Sequence, residues 1–421
     1  MKTNPLDQLE RICRQNLSRV AKLNKSFKKL FIETMFCFLS IPGRINFSQM
    51  ARYGSSCESR FRQNFKKKFE WTKFNTAFAS QSDGHLRAIA IDPCFIPKSG
   101  KKTPGLAYFW SGTANAAKRG LEILGMALVD ACERTALFLA ATQTVTDRKP
   151  KGKKVPNYLA HLDNPDSLIG LYLRAFARES DRFWKLTHLV VADAFFANIS
   201  FVTGLDRLAF DLVSRLRDDA RLRYLYNGPK ENRKGRPRMF DGTVDIASPM
   251  EDRFVVSTVD DGDTKVTLYH AKLYAVCLKR IIGVAIAVYD DKDRKTQTRK
   301  IFFSTDLSLN GEQIYSLYRS RFQIEFLYRD GKQFTGLADC QARNENSLNF
   351  AFNASLTAVN IAKAFAKESG LNLSVESVKL LLHNAVVIQR VLSMSGKRPN
   401  LNLNQENFKE LLSYGVKNAA K

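Results

Sequence analysis

The chain has no long uninterrupted apolar run. The stretch from Gly120 to Val145 is broken by Asp130, Glu133 and Arg134, and that from His188 to Phe201 by Asp193. Neither reaches the ~18 apolar residues that a membrane span needs. The opening segment, MKTNPLDQLERICRQNL, lacks the hydrophobic core of a signal peptide. Seven cysteines stand scattered at 13, 37, 57, 94, 132, 277 and 340 with no CxxC pair, which argues against a structural zinc and against a disulfide scaffold. No internal repeat and no low-complexity tail is visible. These absences lead to the expectation of a reducing, cytoplasmic setting.

Carboxylates are also scarce relative to cations. There are 41 Asp and Glu against 66 Lys and Arg, a formal net charge of +25. A globular protein this basic usually meets a polyanion, with nucleic acid the first candidate. At 421 residues and 44% hydrophobic content, the chain can build a sizeable core and two or three domains.

Residues 1–82 read as a basic helical block and are expected to form a DNA-binding domain. Leu9, Ile12, Leu17, Val20 and Leu23 recur at helical spacing. Phe47 to Tyr53, then Gly54, then Cys57 to Phe69 reads as two helices around a glycine turn, the outline of a helix-turn-helix. Its candidate phosphate contacts are Arg60, Arg62, Lys66 and Lys67.

Strands then dominate. Residues 86–96, 120–130 and 135–145 read as three strands, 165–184 as helix, 188–196 as strand, 198–209 as helix and 210–216 as strand. That β-β-β-α-β-α-β order is the order of a ribonuclease-H-like α/β core with a mixed sheet. The expected boundaries are 83–228 for its first part, 229–306 for an antiparallel β insertion, 307–345 for its last part and 346–421 for a C-terminal helical region. The basic loops 97–102, 147–154 and 229–238, the last with Arg233, Lys234 and Arg236, read as phosphate contacts. Asp260 and Asp261 read as solvated turn residues.

Three carboxylates carry the chemistry. Asp92 sits in the apolar strand AIAIDPCF, where an unpaired carboxylate would cost several kcal/mol. Pro93 beside it would stop the strand continuing a central ladder. Asp193, in VVADAFF, has the same strand-end setting. Glu325 lies in YRSRFQIEFLYRDGK with Tyr318, Arg321 and Lys332. On one helix those four fall within about 60° of one another, a polar stripe about 21 Å long. Leu317, Ile324, Phe326, Leu327 and Tyr328 would be packed around it. Converging carboxylates of this kind can hold two hard divalent ions beside a phosphate.

The spacing Tyr-x2-Arg-x3-Glu-x6-Lys resembles the signature of the insertion-sequence-4 family of DDE transposases. Asp92 and Asp193 match the settings of that family's two aspartates, and residues of about 235–305 its β insertion. The resemblance implies that Asp92, Asp193 and Glu325 are catalytic and bind two Mg²⁺ ions, with Mn²⁺ as a substitute. It implies that Tyr318, Arg321 and Lys332 contact the DNA end. It further implies cut-and-paste transposition on double-stranded DNA, at terminal inverted repeats and a target, by a nucleoid-associated homodimer. Two other readings stay open: an inactive relative kept for end recognition or repression, and a metal-dependent nuclease without strand transfer. Arg321 has a plainer role available too, as the i,i+4 salt-bridge partner of Glu325.

Overall fold

Asparagine starts the first three helices. In this computed structural model, which describes residues 4–79, 85–144, 167–229, 237–262, 264–291, 296–394 and 406–417, Asn4, Asn24 and Asn46 accept from backbone N–H groups of α1 (Pro5–Ser18), α2 (Lys25–Ser40) and α3 (Phe47–Tyr53). Short polar side chains at these positions satisfy N–H groups that a helix start leaves without partners. α4 (Glu58–Asn64) and α5 (Trp71–Asn75) complete the block. The two helices around Gly54 are present, but the second stops at Asn64 instead of running to Phe69.

The sheet begins with β1 (Arg87–Pro97), β2 (Ala107–Ser111), β3 (Ala116–Asp130) and β4 (Thr135–Gln143). After α6 (Leu168–Ala177) and α7 (Ser180–Trp184) come β5 (Leu189–Val191), α8 (Ile199–Asp206) and β6 (Asp211–Arg215). β4, β3, β1, β5 and β6 lie side by side in that order, with β5 parallel to both its neighbours. This is the mixed core expected from the element order. β2 was not anticipated; it pairs with the N-terminal end of β3.

The strands of the expected insertion, 229–306, and one strand just before it belong to the same sheet. β7 (Leu222–Leu225), β8 (Phe240–Thr243), β9 (Val255–Asp261), β10 (Thr264–Ala275), β11 (Arg280–Asp291) and β12 (Thr296–Ser304) extend the same sheet to 12 strands. The junction is antiparallel, with Phe303 of β12 opposite Ser214 of β6. α9 (Gly311–Ser320) opens on Asn310 with a capping box, and α10 (Gln323–Gln333) follows. α11 (Glu345–Ser369) ends at Gly370, whose φ of 68° is left-handed; α12 (Val375–Met394) and α13 (Glu406–Ser413) close the chain. Helices from both ends of the chain share one apolar core with one sheet face, including Leu9, Phe31, Phe38, Leu356 and Leu382. No described helix is long and apolar enough to cross a membrane.

β4 pairs only with β3 among the described strands, so its outer backbone edge needs other partners. Asparagine side chains provide them. Asn353 on α11 accepts from the Ala141 N–H (2.8 Å) and donates to the Ala141 carbonyl (2.8 Å). Two helical turns on, Asn360 does the same for Phe138, at 3.0 and 2.8 Å. The register shifts here, Ala127 facing Phe138 and Met126 facing Ala140, so Leu139 is the extra residue of a bulge. Asn75, at the end of α5, donates to the Leu139 carbonyl (3.0 Å) and accepts from Asn360 (3.0 Å).

Asn353→Ala would leave two buried backbone groups of Ala141 without partners. It should lower stability by about 2–5 kcal/mol in chemical denaturation. Asn346→Ala, at an exposed position on the same helix, should stay within about 0.5 kcal/mol of wild type.

Candidate active site

Parallel register brings the two aspartates together. Ile89 lies opposite Val190 and Ala90 opposite Val191. Two residues further along each strand, the same register sets Asp92 beside Asp193 on one face of the sheet. β5 has ended by then, so the carboxylates stand at the carboxyl end of a parallel strand, the usual place for a site in an open α/β sheet. As the proline suggested, the ladder with β5 does not continue to Pro93, although β1 itself goes on. It runs to Pro97 against β3, with Pro93 opposite Leu124. The missing N–H is tolerated because the pairing with β5 extends only to Ala90.

Asp193 is held by its own turn. Its Oδ1 accepts from the Phe195 N–H (3.0 Å), and its carbonyl accepts from the Ser214 hydroxyl (2.8 Å). Burial raises its pKa, against the opposing pull of Arg321 and the backbone N–H groups of Phe195 and Phe196. Burial pushes Asp92 much further, to about 8, with Arg321 opposing and the charges of Asp193, Glu325 and Glu122 adding to the rise.

The helix carrying Glu325 is not one continuous rod. α9 ends at Ser320 and α10 begins at Gln323. Arg321 and Phe322 keep right-handed helical dihedrals, but the hydrogen bonds tighten to three-residue spacing, as from Ile324 N–H to the Arg321 carbonyl (3.2 Å) and from Glu325 N–H to the Phe322 carbonyl (3.0 Å). The stripe is therefore spread over two helices and the turn between them. Arg321, in that turn, points into the acids. Its guanidinium lies 3.0 Å from Glu325 and 3.4 Å from Asp92. Its buried Nε has no hydrogen-bond partner. Tyr318 packs on Phe302, ring centroids 4.7 Å apart. Lys332 is exposed, with its ammonium beside the Cys94 thiol, two residues along β1 from Asp92.

One close approach seats α10. The Tyr328 hydroxyl donates to the Asp92 carbonyl at 2.6 Å. Gly125 lies opposite Asp92 on β3, and a Cβ there would come within 2.1 Å of the Tyr328 hydroxyl oxygen. Ile324 and Leu327 are fully buried beside it.

A fourth carboxylate escaped the sequence reading. Glu122 on β3 is buried, accepts from the Tyr172 hydroxyl at 2.6 Å, and has its pKa pushed up to about 7 by burial, opposed by the hydrogen bond from Tyr172. Its setting, GLEILGMALVD, is as apolar as that of Asp92, so the same reasoning would have found it. Asp261 is also not solvated: it accepts from the Tyr315 hydroxyl (2.8 Å) and from Arg319 (2.9 Å), tying β9 to α9. Asp130 takes Arg87 (2.9 Å) and is structural.

Among the described residues, the one group of three side chains with metal-ligand atoms all within 4.8 Å is His188, Asp211 and Asp306. It lies at the opposite ends of β5 and β6 from Asp193, and its carboxylates are already bonded. Asp211 accepts from the Thr305 hydroxyl (2.7 Å) and Asp306 from the Ser308 N–H (2.8 Å). Asp92, Asp193 and Glu325 are instead gathered around Arg321.

Most of the basic candidates outside the stripe already have partners. Arg60 reaches Ser26 (3.3 Å); Arg62 pairs with Glu58 (2.8 Å) and lies over the Phe47 ring (4.8 Å). Lys67 sits over Phe27 (5.4 Å), and Lys66 is exposed. Lys98 donates to the carbonyls of Ala338 and Cys340 (both 2.8 Å) and so anchors its loop to the segment after α10. Arg233, Lys234 and Arg236, and the whole of the 147–154 loop, lie outside the described residues.

Two family models match the chain. That of the DDE superfamily endonucleases covers residues 38–265, with Asp92 and Asp193, and that of the transposase DDE domain covers residues 172–361, with Asp193 and Glu325. No curated protein matches it.

Two outcomes are expected from this geometry. Glu122 carries a raised pKa, so it is protonated in the folded state at pH values where it ionises in the unfolded chain. Its contribution to stability is complete below the ordinary value of 4.5 and is lost as pH rises to about 7. Glu122→Gln should flatten the fall of melting temperature across that window. Gly125→Ala should destabilise the fold by about 1–3 kcal/mol by forcing Tyr328 aside. In a double-mutant cycle with Tyr328→Phe, the two losses should be less than additive.

Proposed function

Because the chain belongs to the DDE superfamily of endonucleases, we propose that it is a DNA transposase of the insertion-sequence-4 type, with Asp92, Asp193 and Glu325 as its catalytic residues. One observation carries this reading. Two aspartates adjacent by strand register and a glutamate from a crossing helix surround a single guanidinium. A cluster of partly buried acids that already holds a cationic side chain suits metal binding, and the donor set is all oxygen, as Mg²⁺ or Mn²⁺ requires.

Two such ions, held by Asp92, Asp193 and Glu325, would supply a sharpened nucleophile and stabilise the leaving oxygen. Water attacks the phosphate at the element's end and frees a 3′-hydroxyl. That hydroxyl attacks the opposite strand to form a hairpin, which is reopened, and finally attacks target DNA. Each joining step exchanges one phosphodiester for another, so no high-energy cofactor is needed.

The protein's own part is positioning and charge. Arg321 shields the acids from one another, its guanidinium lying between Glu325 and Asp92. Lys332 places a second cation further along β1, and Tyr318 lines the approach. A cleft of about 520 Å³ opens beside Arg321, lined in part by Tyr318, Phe322 and Phe326. Phe322 is 48% exposed there and offers a ring for an extruded base. Tyr269 and Tyr274 are poorer candidates for that role, because they pack on Phe254 and Phe240 within the sheet. The 1–82 block would add end recognition through Lys66 and its neighbours, and the active species would be a homodimer on paired DNA ends.

Asp92→Ala should abolish cleavage of end-bearing DNA in Mg²⁺ while leaving DNA affinity within about 2-fold, since it removes no phosphate contact. Chelation should stop the wild type, and Mn²⁺ should restore it. Cleavage by Asp92→Ala at the wild-type rate would overturn the assignment. Cleavage by the wild type without any joined product, when pre-cut ends and target are supplied, would leave a nuclease.

A further inference from the structure

β2 and the part of β3 that pairs with it project beyond the end of β1. Gly120 is the last residue of β3 paired with β1, opposite Pro97, whereas Ala116 to Gly120 pair with β2. This wing adds nothing to the five-strand core. Its register nevertheless continues the catalytic face. Along β3, residues 125, 123, 121, 119 and 117 alternate onto one face. Gly125 is opposite Asp92 and Ile123 opposite Cys94, where Lys332 sits. Arg119 is opposite Tyr108 and Ala117 opposite Trp110. Tyr108, Trp110 and Arg119 therefore follow the line that begins at Asp92.

Two features of the wing call for a partner. Trp110 is 61% exposed, although burying its ring would be worth more than that of any other side chain. The segment from Pro97 to Gly120 holds five cations (Lys98, Lys101, Lys102, Lys118 and Arg119) and no carboxylate. Lys98 is spent on its carbonyl anchors, and Arg119 donates to the Gly100 carbonyl at 3.3 Å, which draws the loop bearing Lys101 and Lys102 to its side. Lys101 and Lys102 are exposed.

We propose that this wing is a second DNA contact, which takes the duplex as it leaves the catalytic centre. Arg119, Lys101 and Lys102 meet phosphates, and the Trp110 ring, with Tyr108 beside it, packs against the bases or sugars of a groove. The eight steps from Gly125 to Ala117 span about 27 Å at about 3.4 Å per residue. Duplex DNA advances about 3.4 Å per base pair, so the contact falls about 8 base pairs from the phosphate at Asp92. The proposal rests on the transposase reading for the position of the scissile phosphate, but not for the contact itself.

The test is fluorescence anisotropy of a labelled 20-base-pair duplex in EDTA, where nothing is cut. The double variant Trp110→Ala/Arg119→Ala should bind about 10-fold more weakly, with the slope of log affinity against log salt reduced by about 1. Its melting temperature should be unchanged, because Trp110 is exposed. Trp110→Phe should keep most of the affinity, and Trp184→Ala, which removes an exposed tryptophan on α7, should bind like wild type. Wild-type affinity in the double variant, or an equal loss in Trp184→Ala, would overturn the proposal. Asp92→Ala should bind normally in the same assay, so a failure of the catalytic assignment would appear in cleavage alone.

Discussion

The site depends on how closely α10 can approach β1, and the absence of a side chain at Gly125 sets that distance. The Tyr328 hydroxyl occupies the space a Cβ would need and bonds the Asp92 carbonyl. With Ile324 and Leu327 buried on the same side of the helix, the rotation of α10 about its axis is fixed as well as its height. Glu325 lies one turn before Tyr328, so its carboxylate is carried to Asp92 by apolar packing and one hydrogen bond, not by attraction to the other acids. That order of causes matters, since three carboxylates would otherwise separate.

What keeps them together is a cation from the chain itself. Arg321 bridges Glu325 and Asp92, and it can do so because the helix path tightens at Arg321 and Phe322. Even with this guanidinium present, burial dominates: the pKa of Asp92 rises to about 8 and that of Asp193 also rises. Charge at this site is thus under-neutralised in the protein alone. The chain as a whole has the opposite excess, +25, which suits a molecule that acts on a polyanion.

Much of this was legible before any coordinates. Asp92 and Asp193 stood out because a carboxylate in an apolar strand needs a reason. Asn310 and Gly370 delimit their helices through local chemistry alone, a capping side chain and a left-handed backbone. The failures share a different cause. The engagement of Asp261 by Tyr315 and Arg319 and the anchoring of Lys98 depend on residues distant in sequence. Periodicity carries no information about them. Glu122 is the exception: its local setting matched that of Asp92, and it was passed over because it lay outside the motif. β2 was missed because a five-residue strand in a glycine- and lysine-rich segment has too little alternation to register.

The asparagine clasp on β4 has a consequence for how the chain is made. β4 is bonded on its outer edge by Asn353 and Asn360, which lie 212 and 222 residues further on from their partners Ala141 and Phe138. At ribosomal speeds of about 5–20 residues per second, some 10–40 s pass between synthesis of the strand and synthesis of its cover. During that interval the nascent chain carries an apolar strand with an unbonded edge, the feature most apt to pair with a neighbouring copy. Asn75 is already made and can protect the Leu139 carbonyl, so the bulge at the strand's centre has a guard from the outset while its two flanks do not. The time that edge stays open is thereby set by how fast residues 142–360 are translated.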